Sequence, residues 1–363
     1  MRVLVVTVVH RPDDARIRHR EVAALLQAGA EVVLAAPFRG WGVQPPADVP
    51  GLTAVDLPRA HGRHRVAAAR AARALLRRPD ADVVVVHDPE LVPWAAAARR
   101  RAAVVWDVHE DTAAALTLKA WLPAPLRRPV ASLVRALERW AERRVHLLLA
   151  EDGYRDRFGG AHPVVPNSTP VPQQVPPPDR PVAVYVGHLT RARGAQELVE
   201  VGRRLRAAGC PVRVEAVGHA DGATADLLRR AQEDGDVVWH GFLPNAEALA
   251  VVEGATAGLS LLHDEPNYRH SRPTKVLEYM ARGVPVVTTP TPPAAALVDG
   301  HGCGVVVPFG DARAAADAVV ALHGDPARRH ALGAAGHQAA LRDHDWNADG
   351  ASFVEQLRAW AGR

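Results

Sequence analysis

Cysteine is nearly missing from this sequence: Cys210 and Cys303 are the two among 363 residues. Two so far apart build no disulfide framework and no metal-ligand spacing, and they fit a reducing, cytoplasmic setting. Long apolar runs are missing too. Residues 1–9 are apolar, but the run is short, lacks a small-residue cleavage site and meets His10 and Arg11, so it reads as a first strand. No stretch approaches the roughly 20 apolar residues that span a bilayer. A G-x-G-x-x-G motif is absent after that strand, where His10-Arg11-Pro12-Asp13-Asp14 has no glycine. A hydride-transfer enzyme is thereby disfavoured. Interleaved aromatics are lacking in the densest arginine cluster, residues 63–78 (RHRVAAARAARALLRR), and no nucleic-acid motif accompanies it. The net charge of +4 therefore reads as solvated helix faces, and no nucleic-acid partner is expected.

What is present is a globular composition, 48% hydrophobic and 23% charged, in a chain long enough for two domains of about 150 to 200 residues each. The first half repeats one phrase: a valine-rich run, a turn, then an Ala/Arg/Leu amphipathic run. Strands are predicted at 2–9, 31–36, 52–56, 82–87, 103–108 and 146–150. Continuous runs such as VVVV at 83–86, each followed by a helix, indicate parallel strands covered on both faces. A proline-laden stretch, 166–181, reads as an interdomain linker. The phrase then restarts, with strands at 182–189, 212–218, 237–243, 257–262, 284–288 and 304–308. The fold class is α/β, with two Rossmann-like, doubly wound halves facing a cleft: residues 1–168, a linker 169–181, residues 182–345, and a closing helix 346–363 that crosses back to the first half.

In such sheets ligands bind beyond the carboxyl ends of the strands. There the first half offers His10 to Asp14, His87-Asp88-Pro89-Glu90 and Asp107-Val108-His109-Glu110-Asp111. The second half offers residues 187–194 (GHLTRARG), whose Gly187 and Gly194 frame Arg191 and Arg193. A glycine turn lets backbone amides approach a phosphate, and a guanidinium grips two of its oxygens. Residues 263–289 form a loop, a short helix ending at Gly283, and a strand. Ser271 is placed to cap the helix and Pro273 to start it. Val276, Leu277 and Met280 share one side, while Lys275 and Glu278 are neighbours on the other, near the helix start where an anion is favoured. On these residues alone, Glu278 with Arg282 also fits an ordinary solvent pair and Lys275 an ordinary surface lysine. Two D-x-D motifs, Asp80-Ala81-Asp82 and Asp234-Gly235-Asp236, stand before strands and read as turns. Residues 119–128 (KAWLPAPLRR) mix Trp121, Leu122 and Leu126 with basic residues, as a lid or packing loop, or a weak peripheral contact with lipid or acceptor, would.

Residues 187–194, then 240–247 (HGFLPNAE), then 266–287 (PNYRHSRPTKVLEYMARGVPVV) resemble, in order and spacing, the donor-binding domain of family 4 retaining glycosyltransferases with the GT-B fold. The likeness extends to HRPDDARIRHREVAALLQAGAEV, VVVVHDPEL, WDVHE and VVPNS in the first half. The resemblance implies transfer of a sugar from a nucleoside diphosphate sugar, UDP- or GDP-linked, to an acceptor hydroxyl, without metal or cofactor. Arg193 matches the basic residue of the phosphate clamp, Glu278 the second glutamate of E-x7-E on the ribose, and His109 a histidine beside the reacting sugar. Phe242 and Leu243 match the base pocket. The implied set is therefore His109, Arg193 and Lys275 for catalysis, and Gly187, His188, Arg191, Gly194, Phe242, Leu243, His270, Ser271, Thr274 and Glu278 for the donor. Asp13, Arg16, His87, Asp88 and Glu110 are implied on the acceptor side. The chain departs from the pattern with His270 where the first E-x7-E glutamate stands, His188 where an arginine is frequent, and no glycine-rich loop after the first strand. A nucleotide-sugar epimerase, a pseudo-transferase of the same fold and a non-catalytic nucleotide-sugar binder are the alternatives.

Overall fold

A computed structural model describes residues 1–61, 64–109, 111–113, 123–269 and 272–362. Contacts divide the chain into Met1–Asn167 with Asn347–Arg363, and Ser168–Trp346. Residues 119–122 of the stretch 119–128, together with Glu110, His270 and Ser271, lie outside the described residues.

The first unit holds six parallel strands, β1 (Arg2–Val6), β2 (Glu31–Ala36), β3 (Leu52–Asp56), β4 (Val83–Val86), β5 (Ala103–Val108) and β6 (His146–Leu149). Their order is β3-β2-β1-β4-β5-β6. All four valines of β4 are buried, as expected of a strand covered on both faces. Helix Arg65–Arg77 contributes Ala68, Ala69, Ala72 and Leu76 to the core. Its arginines face outward because only its alanine side meets the sheet. Helix Trp346–Ala361 buries Phe353 and Leu357, stacks Trp360 on His146 at 4.6 Å, and donates from Arg358 to the Ala28 carbonyl at 2.9 Å.

β1 stops at Val6, three residues before its apolar run ends. The cause is Asp88, whose Oδ2 accepts from the Val8 amide at 2.6 Å and the Thr7 hydroxyl at 3.0 Å. A carboxylate that takes the amides of 8 and 9 bends the chain out of the ladder.

The second unit repeats the plan with β7 (Arg180–Val186), β8 (Arg213–Val217), β9 (Val237–Gly241), β10 (Ala255–Ser260), β11 (Val286–Thr288) and β12 (Gly304–Val306), in the order β12-β11-β10-β7-β8-β9. Helix Thr274–Ala281 seats on this sheet through Tyr279, whose ring occupies the space that a side chain at Gly258 would fill: an added Cβ there would lie 2.3 Å from it. The Tyr279 hydroxyl accepts from the Val186 amide and donates to the Leu259 carbonyl, both at 3.1 Å, tying β7 to β10.

Residues 169–181, predicted as a linker, lie packed against the second unit. Thr169 exchanges backbone bonds with His344 and Trp346, Val171 is buried, and Asp179 pairs with Arg329 at 2.6 Å. Proline carbonyls keep their acceptor capacity, and Pro172 accepts from His337 at 2.7 Å. Both D-x-D motifs sit at amino ends of strands. Arg2 holds Asp80 and Asp82, and Arg206 holds Asp236. No helix among the described residues is long and apolar enough to cross a membrane.

Candidate active site

In each unit the strand order reverses beside the first strand, between β1 and β4 and between β7 and β10. That reversal parts the connecting loops, and the crevice at its carboxyl end is where ligands bind.

In the second unit the loops leaving β7 and β10 pack directly on each other. The His263 amide donates to the Ala192 carbonyl at 3.0 Å, and Gly194 lies so close that a Cβ would stand 2.2 Å from the Leu261 carbonyl oxygen. Gly194 also has φ +83°, open to glycine at little cost. The tight turn Arg191–Arg193 feeds through it into helix Ala195–Ala207. Arg191 is exposed and Arg193 half-buried.

Lys275 is buried, at 7% exposure, and Glu278 equally so. Both sequence alternatives of a surface lysine and a solvent pair are excluded by that burial. The Lys275 ammonium lies 4.9 Å from the Tyr185 ring centroid, and a Cβ on Gly187 would meet it at 3.7 Å. Burial and then the Arg193 charge depress the Lys275 pKa to about 7, against the opposing pull of Glu278. Two cations held this near each other at a glycine turn, with Glu278 the carboxylate that acts on Lys275, favour a bound anion. His188 joins them through Arg193's charge, its own pKa lowered by burial first. Its ring centroid stands 5.8 Å from that of His219.

Thr274 is the exposed first residue of helix Thr274–Ala281, and Pro273, not Ser271, occupies its N-cap position without a side-chain capping bond. Phe242 is 49% exposed beyond β9, two strands from β7. At sheet spacing that is about 10 Å from the Gly187 turn. Leu243 is half-buried beside it.

In the first unit the rim is an ionic cluster. Arg16 grips Asp107 with two bonds, Nε to Oδ2 at 2.8 Å and a terminal nitrogen to Oδ1 at 2.7 Å, and also reaches Asn167 at 2.9 Å. Its Nε is 3.0 Å from Glu21 Oε1, but its hydrogen is aimed at Asp107, so Glu21 Oε1 has charge contact without a hydrogen bond. The other Glu21 oxygen lies 2.8 Å from His87 Nε2. His109 Nδ1 stands 3.1 Å from Asp107 Oδ2, and His109 Nε2 is 3.2 Å from His10 Nε2. At that distance one imidazole can donate to the other, the roles following from the tautomers.

Each charge in the cluster is set by its neighbours. Burial would raise Asp107, but Arg16 and the His109 bond hold it well below the usual carboxylate range. Burial and the Asp107 charge together push Glu21 up. Burial opposes the His87 imidazolium, yet the Glu21 carboxylate overcomes it and raises His87. Glu21, His87 and Asp107 bring one ligand atom each within 4.8 Å of one another, as a metal site would. The Arg16 guanidinium already supplies the positive charge there, so the residues fit an internal ion network better than a cation.

Of the predicted acceptor-side residues, Arg16, His87 and Asp88 are buried at 4% exposure or less, spent on the cluster and on the bend after β1. They support the rim from beneath. Asp13 lies apart, bonded to Arg11 at 2.9 and 3.1 Å. Sequence reasoning missed Glu21 and Tyr185. Glu21 reaches the cluster through the wide turn Ile17–Val22, where its amide bonds to the Arg16 carbonyl five residues back, at 2.9 Å. Such wide turns recur at functional sites, and ordinary helical spacing does not reveal them. For Tyr185, the signal was a polar aromatic in an otherwise aliphatic central strand.

The family described as "Glycosyl transferases group 1" matches residues 180–325, and "Glycosyl transferase 4-like domain" matches residues 15–152. Among curated proteins none matches in sequence. Similar solved structures include sucrose-phosphate synthase from Thermosynechococcus elongatus, with TM-score 0.76, 18% identity and coverage of 99% of this chain and 98% of that one. WaaG, a glycosyltransferase of lipopolysaccharide biosynthesis, has TM-score 0.70 and 13% identity over 98% and 99% of the two chains. Anabaena HepE in complex with UDP has TM-score 0.65 and 14% identity over 99% and 100%. At these identities the likeness shows a shared GT-B fold.

Proposed function

Because the chain belongs to the group 1, family 4-like glycosyltransferases, we propose that it transfers a sugar from a UDP sugar to an acceptor hydroxyl with retention at the anomeric carbon and without a metal ion. One observation carries this reading: two cations, Arg193 and Lys275, share a glycine turn at the sheet reversal of the second unit, with the Glu278 carboxylate one helical turn on. Cleavage of the sugar–phosphate bond places charge on the leaving diphosphate, and fixed cations are worth most where charge develops. The departing phosphate oxygen then accepts the acceptor's proton as the new bond forms on the same face, so no enzyme nucleophile is required. Glu278 takes the ribose hydroxyls and Phe242 the base. His109, its Nδ1 held by Asp107, orients the acceptor. The complex of HepE with UDP supports uridine as the first base to test.

A thermal-shift panel of UDP, GDP, dTDP and ADP tests the donor, with UDP expected to give the largest shift. Proton NMR of the product linkage then reads retention, and turnover is expected to persist in a chelator. Arg193→Ala is expected to raise the barrier by about 2 to 4 kcal/mol, as loss of an oxyanion donor does. Unchanged turnover in that variant, or an isomer of the donor formed without acceptor, defeats the reading.

A further inference from the structure

We propose that Tyr185 is the positioning residue of this anion grip, its ring and hydroxyl together fixing Lys275, Arg193 and the glycine turn in the arrangement that receives the donor's diphosphate. The inference rests on the functional reading above and adds to it a residue that touches no substrate.

Tyr185 is the penultimate residue of β7 and is fully buried. A phenol in that place costs free energy unless its hydroxyl is satisfied, and phenylalanine fills the same volume without that cost. The hydroxyl is spent on the site. It donates to the His188 carbonyl at 2.9 Å, which pins the turn just after Gly187. The Arg193 charge acts on the same phenol. The ring meanwhile lies under the Lys275 ammonium at 4.9 Å, an electrostatically favourable face for a cation. Three segments distant in sequence, the turn after β7, the Arg191–Arg193 turn and helix Thr274–Ala281, therefore converge on one side chain.

Tyr279 provides the comparison. It is equally buried, and its hydroxyl bridges Val186 and Leu259, backbone groups of the sheet. One tyrosine holds the frame and the other holds the cations. Loss of each hydroxyl should then be felt in a different measurement.

The experiment compares Tyr185→Phe, Tyr185→Leu and Tyr279→Phe with the unaltered chain in UDP affinity, thermal midpoint and steady-state kinetics. Y185F is expected to weaken UDP by about tenfold with little change in midpoint and an unchanged acceptor KM, whereas Y279F lowers the midpoint and leaves UDP affinity within twofold. Y185L, which also removes the ring, is expected to move the pH dependence of UDP affinity to lower pH, because the Lys275 ammonium loses the face that favours it. If Y185F binds UDP within twofold of the unaltered chain, or if both phenylalanine variants lose affinity and midpoint in parallel, Tyr185 is a core residue only and the proposal is overturned. Should Y185F not fold, ring-labelled tyrosine in the unaltered chain, which has four, gives the answer. Addition of UDP must shift the Tyr185 resonance, and an unmoved signal overturns the proposal. An unaltered chain that binds none of the four nucleotides overturns the functional reading itself, a different failure.

Discussion

Lys275, half-charged at pH 7, makes donor uptake a proton-linked event. Its pKa in the unliganded protein is about 7, set by burial and the Arg193 charge. A bound diphosphate favours the ammonium and raises that value, so between the free and bound pKa the complex holds more proton than its parts. Affinity is therefore greatest below pH 7 and declines as pH rises above it. Stability of the unliganded chain responds in the opposite sense. The unfolded chain, with an ordinary lysine pKa near 10.5, binds the proton more tightly, and this group's contribution to stability improves from pH 7 toward 10.5. Calorimetric titration of UDP at pH 8 in two buffers of different ionisation enthalpy should show net proton uptake, and Lys275→Met should abolish it. Equal heats in both buffers for the unaltered chain would remove Lys275 from the site. The same residue shows how far sequence reaches. Helical spacing placed Lys275 and Glu278 side by side, but the burial of Lys275 involves Tyr185, a strand residue far away in sequence, which no local pattern encodes.

Whole elements were legible where one physical cause acts alone. The valine-rich runs became parallel strands, and β2, β3 and β5 have the bounds expected from sequence. Boundaries went astray where a distant side chain intervened, as Asp88 does at the end of β1. The connection from Arg191–Arg193 into helix Ala195–Ala207 is the element most exposed to a small change. Gly194→Ala must place a Cβ 2.2 Å from the Leu261 carbonyl oxygen at φ +83°, so both the left-handed conformation and the contact oppose it. Equilibrium urea unfolding is expected to show a loss of at least about 2 kcal/mol; a midpoint equal to that of the unaltered chain would mean that this loop packing is absent in solution. In the first unit, the wide turn Ile17–Val22 carries both Arg16 and Glu21 into the ionic cluster. Arg16→Met removes the cation while Asp107 and Glu21 stay buried. Breaking a buried pair from one side typically costs about 3 to 5 kcal/mol, and the same urea measurement reads it. Glu21 escaped the sequence because a five-residue spacing falls outside helical periodicity.

At the scale of the whole molecule, each unit gathers apolar core of its own among the described residues, from β1 to β6 with Tyr154 in the first and from β7 to β12 and their helices in the second. Each unit thus buries enough apolar surface to unfold as its own cooperative body. The anion grip lies wholly within Ser168–Trp346, whereas the Arg16 cluster lies wholly within Met1–Asn167. A ligand stabilises the body to which it binds, by RT ln(1 + [L]/Kd), or about 2.7 kcal/mol at a hundredfold excess over Kd. Hydrogen exchange of the full chain with saturating UDP should therefore slow the amides of 187–194 and 274–278 and the strands β7 and β10 behind them. The amides of β1 and β4 should exchange at their unliganded rates, because UDP contains nothing that the first unit's histidine cluster is built to hold. Protection that appears first in β1 and β4, with 187–194 unaffected, would assign the nucleotide to the wrong half of the chain and overturn the grip at Gly187.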